Sequence, residues 1–195
     1  AVSHHPEEDG KSRIYTLPIE GGAPTLVTEK GPSYLHGWSP DGETLAYCAE
    51  RNGQYDVYTI SVNGGPETQL TDLPGLDDGP EYSPSGEHIW FNSTRTGLMQ
   101  VWRMRPDGSE PTHMYADDAN SWFPHVSPDG ELVVYVAYAK DDVAPGDHPA
   151  NKHVELRLAL TGDRGGPPRS VAQHLDALAV ARARRGLGAG EAQHQ

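Results

Sequence analysis

The chain has one cysteine among 195 residues, Cys48, so no internal disulfide can form. It has no apolar run near the ~20 residues that a membrane helix requires, and membrane insertion is not expected. Basic residues are few. Fifteen Lys and Arg stand against 28 Asp and Glu, for a formal net charge of −13. Such a surface repels phosphate backbones, so nucleic acid is not an expected partner. Two catalytic signatures are missing as well: a Gly-x-Ser-x-Gly nucleophile elbow and a Gly-x-x-x-x-Gly-Lys phosphate loop. What the chain has in excess is Gly (22) and Pro (17). They are spread along its length, which reads as many turns rather than a disordered tract. Dispersed Tyr, Trp, Val, Ile and Leu point to a β-rich globular protein.

One turn recurs three times: Trp38-Ser39-Pro40-Asp41-Gly42, Tyr82-Ser83-Pro84-Ser85-Gly86 and Val126-Ser127-Pro128-Asp129-Gly130. Pro40, Pro84 and Pro128 stand 44 residues apart. Pro presets φ, Asp or Ser can bond its own backbone, and Gly accepts a positive φ. A short apolar run follows each turn: Thr44–Cys48, His88–Phe91 and Leu132–Val136. These read as buried strands. A second punctuation, at Arg51-Asn52-Gly53 and Arg95-Thr96-Gly97, leads to further strands at Asp56–Ile60 and Gln100–Met104. Asn63-Gly64-Gly65 and Asp107-Gly108 make hairpin-type turns before a last polar strand. With the segment ahead of each Ser-Pro turn, every repeat holds four strands, the content of one propeller blade. The expected fold is all-β: a β-propeller fragment of about four blades, each a four-stranded antiparallel sheet.

The ends follow the same ruler. Gly10–Leu17 matches Gly53–Ile60, and Gly21–Thr28 matches Gly64–Thr71, each 43 residues on. The division expected within one propeller domain is a partial blade at 1–30 and full blades at 31–74 and 75–118. A blade at 119–173 carries an insertion at 140–149. Residues 174–195 are rich in Ala, Arg and Gly and lack the repeat. A short helix over Leu175–Arg185, an adapted cap and a shifted reading frame are the readings open for this tail.

The Trp-Ser-Pro-Asp-Gly turn, the Leu45-Ala46-Tyr47 strand and the Asp56-Val57-Tyr58 strand resemble the WD-like repeats of the TolB propeller family. The likeness covers roughly residues 8–173 and is closest to short, propeller-only members. It implies a non-catalytic protein-binding module in the bacterial periplasm, with any leader outside this chain, and it implies no cofactor. It also implies six blades, more than this chain holds. Open blade edges would then favour self-association.

In a propeller the innermost strand lines the channel. By register it precedes each Ser-Pro turn, and the loops leading into it are the expected binding rim. Tyr34, His36, Asp77, Asp78, Trp122, Phe123 and His125 are the candidate residues. Aromatics often anchor interfaces, but Trp122 and Phe123 fit packing between blades slightly better. His36 and His125 stand one residue out of register with each other. The ten histidines invite a metal reading, yet none has the spacing of a strong metal motif. His4, His5, His148 and His153 with Asp141, Asp142 and Asp147 read as solvated loop residues, and no metal is expected. The Asn92-Ser93-Thr94 sequon falls at the end of a strand and is discounted. An unidentified protein is the expected partner. Two alternatives are weighed beside it: a metal-dependent propeller lyase for acidic oligosaccharides, and the propeller half of a prolyl-oligopeptidase-type peptidase.

Overall fold

The computed structural model describes residues 1–6, 9–116, 118–139, 154–162 and 168–170. The insertion at 140–149, the tail from 174 and the histidines at 148 and 153 lie outside the described residues. Among the described residues, fifteen strands form four antiparallel sheets. The first sheet holds β1 (Val2–His4), β2 (Arg13–Thr16) and β3 (Thr25–Leu26). The second runs β4 (Ser33–Trp38), β5 (Thr44–Arg51), β6 (Gln54–Ser61) and β7 (Thr68–Gln69). The third runs β8 (Asp77–Tyr82), β9 (Ile89–Thr96), β10 (Leu98–Met104) and β11 (Thr112–His113). The fourth runs β12 (Ala119–Val126), β13 (Leu132–Ala139), β14 (Val154–Leu160) and β15 (Arg169–Ser170). Neighbours in sequence are neighbours in each sheet, the up-and-down order of a propeller blade.

The repeated turn closes β4 onto β5, β8 onto β9 and β12 onto β13. Gly42, Gly86 and Gly130 take φ of 74°, 74° and 75°, which only glycine adopts without strain. Their N–H groups donate to the carbonyls of Ser39, Ser83 and Ser127 at 2.8–2.9 Å. The serine hydroxyls accept from the N–H of Thr44 (2.9 Å), His88 (3.1 Å) and Leu132 (2.9 Å). Asp41 and Asp129 each accept from the N–H two residues on. The serine repeats because each turn needs that internal acceptor. Asn52 and Gly53 both have positive φ, the twisted two-residue turn that joins β5 to β6.

Sheets stack face to face, and alternate residues of the second strand face opposite neighbours. Leu45, Tyr47 and Ala49 meet Ile14 and Val27 of the first sheet. Ala46 points the other way, with Val57, onto Ile89, Phe91 and Met104 of the third sheet. Trp90 and Val101 meet Val133, Tyr135, Ala137 and Ala159 of the fourth. Fully burying a side chain of this size is worth about 1.5–3 kcal/mol, so the layers between sheets hold the arc together.

A polar clamp ties the connection between β3 and β4 to the second sheet. Glu67 accepts from Arg51 (2.7 and 2.8 Å), Tyr47 (2.9 Å) and Lys30 (3.1 Å). The Arg51 guanidinium above all holds the Glu67 carboxyl down from 4.5 to about 2. A carboxyl depressed in the fold adds stability above its unfolded value and loses it as pH falls through the folded one. Wild type is therefore expected to be more stable than Glu67→Gln above pH 4.5, with the gap closing toward pH 2. Urea midpoints of the two proteins across that window check this. A gap that does not change with pH would sink the assignment.

Candidate functional site

The innermost strands β4, β8 and β12 lie side by side on the axial side of the arc. Each carries an irregularity at the same repeat position. Pairing with the second strand breaks between Tyr34 and His36, between Asp78 and Glu81, and between Trp122 and His125. The residues at the break, Leu35, Gly79 and Phe123, stand 44 apart and take φ of 46°, 58° and 53°. These are β-bulges. Glycine takes such a φ freely. For leucine and phenylalanine it is strained and persists only where the surroundings enforce it.

The surroundings are visible at Phe123. Its N–H donates to Asn92 Oδ1 of the third sheet at 3.1 Å. Its ring lies 5.7 Å from that of Trp122, and its Cδ1 is close to where a Cβ on Gly79 would stand. That Cβ would also come within 2.7 Å of Asn92 Oδ1. Glycine at 79 is thus required both by its φ and by the approach of the next blade. Asn92 is fully buried, so the sequon asparagine is a bracket between blades.

The bulges frame an open cleft of about 270 Å³. Leu35, Phe123, Pro80 and Ser3 form walls, and His36, Glu81 and His125 bring polar groups. His125 Nδ1 and Glu81 Oε2 make a close ion pair across two blades. The Glu81 carboxylate raises His125 above the ordinary imidazole value. Burial lowers His36 instead, favouring its neutral form. Its Nδ1 is buried with no hydrogen-bond partner among the described residues. One cleft thus offers an apolar wall, a neutral imidazole and a charged pair.

The seven candidate residues separate by location. His36, Phe123 and His125 line this cleft. Tyr34 faces a second opening beside Lys11 and Tyr55, its ring 6.0 Å from Tyr55. Asp77, Asp78 and Trp122 are buried, at 2%, 2% and 1% exposure. Asp77 pairs with Arg95 at 2.8 Å, and Trp122 packs with Met99 and Tyr138. Where a loop was expected ahead of each turn, the chain is already strand from Ser33, Asp77 and Ala119. Asp78-Gly79-Pro80 reads as a loop because those residues are poor strand formers, but a bulge admits them. Leu35, in the segment expected to lead into its inner strand, and Glu81 complete the cleft, and Glu81 was not among the candidates. Glu81 stands 44 residues before His125, the spacing that would have paired them. Among the described residues no three of His, Cys, Asp and Glu converge as metal ligands.

Stacked antiparallel sheets, inner strands side by side and a cleft at their bulges define a β-propeller segment with an open axial face. The family model described as TolB beta propeller domain matches residues 2–170, and the chain belongs to that family. An uncharacterized protein of Agrobacterium fabrum is 48% identical over 151 residues, covering 77% of this chain and 50% of the relative. The solved structure of a provisionally named TolB from Agrobacterium tumefaciens superposes with a TM-score of 0.78 at 46% identity. It covers 86% of this chain and 58% of that one. TolB from Acinetobacter baumannii shares the fold at 18% identity and TM-score 0.70, over 87% of this chain and 40% of that one. The chain therefore spans about half the length of the curated relative it matches.

Proposed function

We propose that this chain is a non-catalytic protein-interaction propeller whose partner docks in the cleft between the three bulges, and that it works in the periplasm of a bacterial cell envelope. The repeated bulge carries the docking reading. Two of its three positions hold a bulky side chain at positive φ, and both side chains line the opening. Strain of this kind clusters at binding sites, where a rigid frame holds side chains ready for a partner. Phe123 supplies an aromatic anchor, and the Glu81–His125 pair supplies a polar rim. Membership of the TolB family supports the envelope setting.

Site-specific crosslinking in the source bacterium tests the docking site. A photoreactive amino acid at position 35 or 123 is expected to yield one discrete protein adduct. The same group at Thr68, on the outermost strand of the second sheet, is expected to yield none. The reading fails if neither cleft position gives an adduct, or if Thr68 gives the same one.

A further inference from the structure

We infer, resting on the docking reading above, that the cleft is a socket for an arginine side chain of the partner, whose guanidinium seats between the Phe123 ring and the Glu81 carboxylate. Both residues belong to inner strands, Glu81 to β8 and Phe123 to β12. β8 lies between β4 and β12, so strands of this chain set both of its flanks. At the bulge position the three inner strands carry Leu35, Gly79 and Phe123. The middle one has no side chain. That leaves a notch, lined by Gly79 and Pro80, between two bulky residues. At about 270 Å³ the cleft is smaller than the ~300–1,000 Å³ of small-molecule sites. It fits one long side chain, with an apolar wall for the stem.

Glu81 supplies the charge. Its Oε2 is taken by His125 Nδ1, and its Oε1 accepts no hydrogen bond among the described residues. Elsewhere this chain fills an aromatic ring beside a carboxylate with an arginine of its own. Arg95 bonds Asp77 at 2.8 Å, its guanidinium 5.2 Å from the centre of the Phe91 ring. Arg51 bonds Glu67 at 2.7 Å, its guanidinium 5.5 Å from the centre of the Tyr58 ring. Phe123 and Glu81 line one cleft, and no arginine or lysine stands among the described residues that line it. A guanidinium stacks on a ring and bonds a carboxylate through its planar fork, whereas an ammonium is a point charge. The net charge of −13 attracts a basic partner. His125 competes for the same carboxylate. While it is protonated the pair is neutral, and once it loses its proton Glu81 stands as an unbalanced anion. The Glu81 carboxylate raises His125 above the ordinary imidazole value, so the competitor keeps its proton further up the pH scale. Of the other lining groups, His36 on β4 titrates, but burial favours its neutral form. Ser3 on β1 brings a hydroxyl. Arginine binding is therefore expected to strengthen as pH rises through the His125 titration. By linkage, bound arginine lowers the pH at which His125 titrates.

Titration of the full chain with N-acetyl-arginine amide, followed by NMR at the ring protons of Phe123 and His125, tests this. The expected result is a saturable shift that neither N-acetyl-norleucine amide, an uncharged stem, nor N-acetyl-aspartate amide, an anion, produces. Affinity is expected to rise between about pH 5 and pH 8, the range in which an imidazole titrates. Glu81→Gln is expected to weaken binding about tenfold or more, as the loss of a hydrogen bond to a charged group does. His125→Gln is expected to strengthen binding at acid pH and to flatten its pH dependence. Absence of a saturable shift at every pH overturns the inference. So does affinity that rises as pH falls, tighter binding of the aspartate probe, or a Glu81→Gln variant that binds like wild type. A crosslinked adduct from position 123 without arginine binding would overturn the socket and leave the docking site standing. Arginine binding without an adduct would keep the socket and overturn the docking of a protein.

Discussion

Replacing Asp77 by alanine is expected to lower stability by about 3–5 kcal/mol, the cost of leaving a buried charge without its counter-ion. The charge is Arg95, whose side chain is 9% exposed and bonds Asp77 at 2.8 Å. Its guanidinium lies over the rings of Phe91 and Trp102, at 5.2 and 4.9 Å, and its Nε donates to Ser93 Oγ. Those contacts hold the cation in place but do not neutralise it. Urea unfolding followed by circular dichroism reads the loss. The paired change of Asp77→Leu with Arg95→Met should recover most of it, since apolar residues of like size often replace a buried ion pair at little cost. A loss under about 1 kcal/mol for Asp77→Ala would mean that solvent reaches Arg95, because exposed pairs are worth no more than that.

The second large effect is expected at Trp122. Truncation to alanine should cost about 3–5 kcal/mol, the range for removing a buried aromatic and leaving a cavity. Its side chain is 1% exposed and fills the space among Met99, Tyr138, Leu76 and Phe123. The cavity would open directly behind the bulge at Phe123. The cleft wall would therefore loosen along with the fold, and crosslinking from position 123 should weaken. If stability held while crosslinking vanished, Trp122 would be contacting the partner rather than supporting the wall.

Both predictions concern residues that a linear reading places on the rim. Repeat register brings Asp77, Asp78, Trp122 and their neighbours to one level of the propeller, because each precedes its Ser-Pro turn by a similar distance. Register says nothing about which side of a strand a residue takes after a bulge. One inserted residue moves the following side chains to the other face. Asp77 and Trp122 precede their bulges and point into the layers between sheets. His125 follows its bulge and opens onto the cleft. Glu81 was legible in principle, as the acidic residue one repeat before His125. Leu35 was legible as part of the rim but not as a bulge, since nothing in its own sequence neighbourhood signals a left-handed backbone.

The sequence by itself determined the architecture of this protein. A Ser-Pro-Asp/Ser-Gly turn every 44 residues, with apolar runs of period two between turns, specifies hairpins of set length. Hairpins that bury both faces can only stack, and stacking four-stranded sheets makes an arc of blades. The tertiary structure alone decided which residues are exposed. Burial depends on the neighbour across the interface, so Val57 and Leu156 hold one register position yet differ from 0% to 53% exposed. The same holds on the axis, where the bulges and the approach of the adjacent blade turn Leu35 and Phe123 into the wall of a cleft while burying the acids beside them.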